Sequence, residues 1–287
     1  MKKKKRRSVK YKKKARAAKR GFRLYLALFA LLFSSLLILG STYAWFTSAD
    51  SVTNKFESGR FQAELTEVFK PNLAWQPGKD TTKQIRVQNT GQLPALVRVS
   101  LYEYLLTFKI DVRDKIGNGN LITVSSEQKP VVNWKDLSTW QPASEKGGTY
   151  KDGSLHYVAN KAYIADQKNG KDRYKLNDPA RKALPFHFIE INFSAYLNTS
   201  LPKPEVKNYW LYEDGYFYYS EVLPPGNISE PLVDNVSLSS SASNTYKGAL
   251  YQLNPYLEAH DPVKTVIKEW GIGTNSLVYG LFKDKLN

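Results

Sequence analysis

Apolar and polar residues alternate along several short stretches of the chain. In "FQAELTEV", Phe61, Ala63 and Leu65 fall on one face, and Gln62, Glu64 and Thr66 on the other. A period of two predicts a strand with one buried face. The same period runs through Ile85 and Val87, set against Gln84, Arg86 and Gln88. It returns in Ala95, Val97, Val99 and Leu101, set against Leu96, Arg98 and Ser100. The intervening "NTGQLP" has turn chemistry, so these two runs are expected to pair as a hairpin. A second hairpin is expected in "NYWLYEDGYFYYSEVL", where Asp214-Gly215 reverses the chain between Tyr209–Tyr212 and Tyr216–Val222. Ile189, Ile191 and Phe193 mark another strand, and "PLVDNVSLS" and "YKGALYQLNPYLEA" two more. "WQPGKD" is a Pro-Gly turn.

Many short strands with regular turns predict a mainly β fold, a jelly-roll-like antiparallel β-sandwich over residues 60–287. The 19 Tyr, 13 Phe and 6 Trp supply side chains that favour strands. Two stretches depart from the pattern. Residues 109–183 are polar and rich in Lys, Asp, Asn and Gly, which suits a long insertion between core strands. "HDPVKTVIKEWG" has the helical period, with Val263, Val266, Ile267 and Trp270 on one face. Asp261 is placed to cap that helix, Pro262 to occupy its first position and Gly271 to end it.

Charge changes the picture at the N-terminus. The chain carries a formal +16, but residues 1–23 hold 14 Lys and Arg and no acid, leaving 28 basic against 26 acidic residues beyond them. The excess belongs to a tail and not to a face of the folded part, which argues against nucleic acid as a partner. Leu24–Gly40 follows, 17 residues without a charge. A basic block before an apolar run stays inside while the run inserts, so the remainder is exported across the membrane. The run is longer than the usual signal core of about 7–15 residues and shorter than a span of about 20. A cleaved signal over 24–44 and a retained membrane anchor are both open. Thr42 and Ala44 place small side chains three and one residues before a cut, so cleavage between Ala44 and Trp45 is favoured.

No catalytic constellation stands out. The chain has no cysteine, no nucleophile elbow and no phosphate-cradling glycine loop, and His156, His187 and His260 lack ligand spacing. The expectation is a protein that is not an enzyme and holds no metal or cofactor. Four Asn-x-Ser/Thr sites occur, at Asn192, Asn198, Asn227 and Asn235. The aromatic hairpin at Tyr209–Tyr219 suits cross-strand packing better than a sugar platform.

The stretch "GSTYAWFTSADSVTNKFESGRF" resembles the junction of the TasA/camelysin family of exported Gram-positive matrix proteins, through Thr42, Ala44, Trp45, Phe46, Asn54, Phe56 and Gly59. "WQPGKDTTKQIRVQNTGQLPALVRV" resembles a later block of that family, and "DGYFYYSEVLPPG" and "KEWGI" blocks of its longer branch. The likeness covers residues 40–104 and 208–270 and does not touch 109–183. The basic tail is longer than in the family, and the spacer after Phe46 lacks its usual acidic run. The resemblance implies export through a signal peptidase of the SipW type, a jelly-roll domain, and a place in extracellular fibres or biofilm matrix. It also implies that the freed N-terminal segment completes a neighbouring subunit's sheet.

Physical reasoning reaches the same expectation. Once cut, residues 45–59 become a free end carrying the apolar anchors Phe46, Val52 and Phe56. Such an end can add to an open sheet edge, with main-chain hydrogen bonds supplying affinity and the anchors supplying register. The expected partners are the peptidase, the membrane during export, and copies of this chain or related matrix subunits. The alternative is a membrane-anchored surface domain that binds polysaccharide or host protein.

Overall fold

The computed structural model describes residues 63–68, 78, 80–113 and 119–287, all within the unit Thr53–Asn287. Its strands are β1 (Ala63–Val68), β2 (Asp80–Asn89), β3 (Leu96–Phe108), β4 (Thr123–Val124), β5 (Thr149–Asp152) and β6 (Leu155–Ile164). They continue with β7 (Ile189–Phe193), β8 (Leu197–Asn198), β9 (Trp210–Glu213), β10 (Tyr216–Tyr219), β11 (Val233–Leu238) and β12 (Leu250–His260). The described helices are α1 (Trp140–Lys146), α2 (Thr265–Glu269) and α3 (Leu277–Phe282), with short 3-10 turns between strands. The protein is mainly β, as its alternation predicts.

Two sheets share the strands. One has the order β1-β2-β11-β7 and is antiparallel throughout. The other runs β4-β6-β3-β10-β9-β8, with β12 along the second side of β3 and β5 on β6. One hydrophobic cluster draws on both sheets. Ala63, Ile85, Val87, Ile189, Val233 and Val236 come from the first, and Val97, Val99, Leu101, Phe217, Leu253 and Leu257 from the second.

Strand β3 organises the second sheet, and all 13 of its residues are buried. Val97, Val99, Leu101 and Leu105 face the shared cluster. On the opposite face Leu96 lies under α2 and α3, while Tyr102, Tyr104, Leu106 and Phe108 lie under α1. The alternation predicts one buried face; the second is buried because other parts of the chain return to cover it.

The structure corrects the first expected hairpin. β2 and β3 are consecutive but belong to different sheets, so "NTGQLP" crosses between them. Asn89 explains the crossing. Its side chain is fully buried, donates to the carbonyls of Leu93 (2.8 Å) and Leu223 (2.7 Å), and accepts from the amide of Gly91 (2.9 Å). A buried amide that satisfies turn carbonyls fixes a wide corner where a hairpin would need a tight reversal. The second hairpin forms as expected. Glu213 pairs with Tyr216, and Asp214 (φ 46°) and Gly215 (φ 79°) make the two-residue turn.

Residues 109–183 do more than interrupt the core. β6 pairs with β3 through Tyr104–Phe108, so part of this segment is sheet. α1 buries Trp140 and Ala143 against Val132, Phe108 and Ala159, and the Trp140 indole donates to the Asn133 carbonyl at 3.1 Å. The C-terminal helix is also corrected. α2 begins at Thr265 with Lys264 as its cap residue, so Asp261 and Pro262 precede the helix. Asp261 is drawn away by His260, whose Nδ1 lies 2.6 Å from its carboxylate. Val266 is fully buried, Ile267 and Trp270 pack beside it, and Gly271 (φ 66°) ends the turn as expected. α3 is an element the apolar and polar pattern does not predict. Glu213 captures its first amides, accepting from Leu277 (2.9 Å) and Val278 (3.1 Å), a favourable place for a carboxylate.

Candidate functional site: unpaired sheet edges

Two long edges lie on one side of the paired sheets. Among the described residues, β12 pairs only with β3, and β1 only with β2. The hydrogen bonds of β3 show which way the β12 backbone points. The Leu101 carbonyl accepts from the Tyr174 amide (2.8 Å), on the side of β3 that faces β6 and β10. Leu101 stands opposite Pro255, so this is a non-hydrogen-bonded pair, and Pro255 turns its backbone to the free edge. By alternation, Leu253, Leu257 and Ala259 do the same. Their side chains meanwhile face the shared core, Leu253 and Leu257 almost fully buried.

β1 has the same construction. β2 directs Ile85, Val87 and Asn89 toward β11 and its following loop, shown by Leu232 donating to Ile85 and Ser229 to Val87. Gln84, Arg86 and Gln88 therefore bond β1, which leaves Ala63 and Leu65 with outward backbone groups and core-facing side chains. β1 and β12 approach each other, so the two edges lie near one another beside the core. Among the described residues, no backbone hydrogen bond reaches the outward groups of Ala63, Leu65, Leu253, Leu257 or Ala259. Such rows invite an added strand. Pro255 interrupts the β12 row, because its nitrogen has no hydrogen to donate.

The far side is closed. The chain between β6 and β7 passes over the β7 edge, where Arg181 donates to the Ile189 carbonyl at 2.8 Å. The same guanidinium grips Glu103 with bonds of 2.7 and 2.5 Å, and the Tyr251 hydroxyl donates to that carboxylate at 2.9 Å. Burial opposes the Arg181 charge, but the hydrogen bonds and charge of Glu103 more than offset this and hold its pKa above the ordinary value. Burial, then the Glu103 charge, push the Tyr251 hydroxyl well up, so it stays a donor. The ring of Tyr174 packs on Phe193 (5.8 Å between centroids) and extends the cover.

The outer face of β12 is occupied as well. Gln252 donates to the Trp134 carbonyl, and Glu258 pairs with Arg98. Arg98 also donates to the Trp270 carbonyl (3.1 Å) and lies 3.9 Å over the Tyr216 ring. His260 places one ring nitrogen 2.6 Å from Asp261 and the other 2.8 Å from Glu269. Insertion and C-terminal helices thus cover the face of β12 and leave its edge.

Thr42, Ala44 and Trp45 at the expected cleavage point, and the anchors Phe46, Val52 and Phe56, lie outside the described residues. The histidines are not brought together, and among the described residues no cluster of His, Asp and Glu could hold a metal ion. Nor is any described helix long and apolar enough to cross a membrane. The aromatic hairpin is buried, with Tyr209, Trp210, Phe217, Tyr218 and Tyr219 each under 7% exposed, which removes the sugar platform there. Sequence reasoning missed the closure by Arg181 and Glu103. It also missed Pro255 as an edge residue, although a proline inside an alternating run is itself an edge signal. No family model matches the chain, and neither does any curated protein or solved structure.

Proposed function

We propose that this chain is an exported, non-enzymatic structural protein of the cell surface or biofilm matrix. Its two sheets are read as a jelly-roll-like sandwich in which one side is left for a partner's strand. After cleavage between Ala44 and Trp45 by a peptidase of the SipW type, residues 45–59 are free to leave their own subunit. Phe46, Val52 and Phe56 then seat beside the β1 and β12 edges in a second copy. The reading is carried by one observation: among the described residues, no backbone hydrogen bond reaches the outward groups of β1 and β12 beside the core, while the β7 edge is capped by Arg181. An added strand gains main-chain bonds on such an edge and buries its alternate side chains.

Deleting residues 45–59 from the secreted protein tests this. The deleted form is expected to stay monomeric while the intact form assembles into filaments, seen by electron microscopy and sedimentation. Undiminished filaments in the deleted form refute strand addition. N-terminal sequencing of secreted material is expected to begin at Trp45.

A further inference from the structure

An open groove of about 530 Å³ lies between β6 and the segment that closes the β7 edge. Volumes of a few hundred Å³ are typical of ligand sites. Its rim carries Lys161, Lys182 and His187, and no Asp or Glu is among its lining residues. Neither lysine forms an ion pair with a described residue. In a body whose basic and acidic residues nearly balance, a groove lined by two lysines and no acid is a local departure.

Its floor is apolar and fixed. The Tyr163 ring packs edge-on against Phe186, and Tyr246 packs edge-on against Phe188 while its hydroxyl donates to the Pro185 carbonyl at 2.7 Å. Lys161 holds its ammonium 5.0 Å from the centre of the Tyr163 ring, so charge and aromatic face are presented together. Leu184, 45% exposed, continues the apolar surface. Asn160 and Thr245 add exposed groups able to bond hydroxyls.

We propose that this groove binds an acidic glycan, a chain of sugar rings bearing carboxylate or phosphate. The ring C–H face matches Tyr163 and Leu184, the sugar hydroxyls match Asn160 and Thr245, and the acid groups match Lys161 and Lys182. A nucleic acid fits less well. Duplex DNA carries a charge about every 1.7 Å and calls for a longer row of cations than two lysines. The proposal rests on the groove alone and does not depend on strand addition or on cleavage.

Amine labelling of the full-length protein, read by mass spectrometry, tests it, with the basic tail as an internal reference. The probes are a galacturonic acid hexamer, a maltohexaose phosphorylated at its 6-hydroxyls, a neutral maltohexaose and a thymidylate hexamer, at about 150 mM salt to screen the tail. Lys161 and Lys182 are expected to be protected about threefold or more by one or both acidic oligomers, and not by the neutral sugar; which of the two protects identifies the acid. The double variant K161Q/K182Q, both positions being exposed, is expected to lose about fivefold or more in affinity for that oligomer by calorimetry. Protection confined to tail lysines overturns the proposal. So does equal protection by maltohexaose, stronger protection by the thymidylate, or undiminished binding by the double variant.

Discussion

Arg181 grips Glu103 in a two-bond fork across 78 residues of sequence, and this pair shuts the β7 side. Both groups are largely withdrawn from water, with side-chain exposures of 19% and 7%. Removing either partner leaves the other buried and uncompensated, which costs about 3–5 kcal/mol. E103A and R181A are each expected to lower the unfolding free energy by that amount, read from urea denaturation. Y251F removes a donor to the Glu103 carboxylate and is expected to cost about 1.5–3 kcal/mol.

Lys83 lies in the core-facing row of β2, 3% exposed, and burial pushes its pKa down to about 7. In the unfolded chain it returns to about 10.4. Between those values the unfolded chain binds more protons than the folded one, so stability rises with pH across that window. The slope approaches about 1.4 kcal/mol per pH unit for one proton. Urea titrations at several pH values are expected to show this rise in the wild type and its disappearance in K83M.

Pro255 places its donor-free nitrogen on the open edge of β12. P255T restores a donor there and lengthens the run available to an added strand. Light scattering is expected to show stronger self-association at equal concentration, with little change in the melting temperature, because the pairing to β3 is untouched. Unchanged association would exclude β12 as an acceptor edge.

Gly215 takes φ 79° in the turn between β9 and β10, and a Cβ there would come within 2.7 Å of the Arg173 side chain. Arg173 lies 3.7 Å over the Tyr216 ring, so it has packing to lose by moving. G215A is expected to cost about 1–2 kcal/mol from the left-handed backbone alone. Differential scanning calorimetry checks this as a fall of several degrees, at about 2–4 °C per kcal/mol for a protein of this size.

Much of the strand content is legible because a half-buried strand must alternate. Ile85 and Val87 are fully buried where the alternation puts them, and Ile189 likewise. Asp214-Gly215 forms its turn because few other dipeptides tolerate two positive φ angles. Pairing is less legible. Nothing local in "NTGQLP" shows that Asn89 will be buried and send the chain to the other sheet. Glu103 and Arg181 read as ordinary surface charges until the fold brings them together. For the groove, Lys161 and Lys182 sit in polar stretches whose composition suggests only solvated loop.

β3 and β12 form the longest ladder among the described strands, and their clamp joins Arg98 to Glu258, 160 residues later. Until β12 has been delivered, β3 lacks its partner along one whole side, and the central cluster lacks Tyr251, Leu253 and Leu257. Closing so distant a contact is slow, because a long loop must be ordered before any pairing rewards it. A nascent polypeptide that still lacks β12 is therefore expected to stay pliable. The compact body is then expected to form only after β12 has emerged.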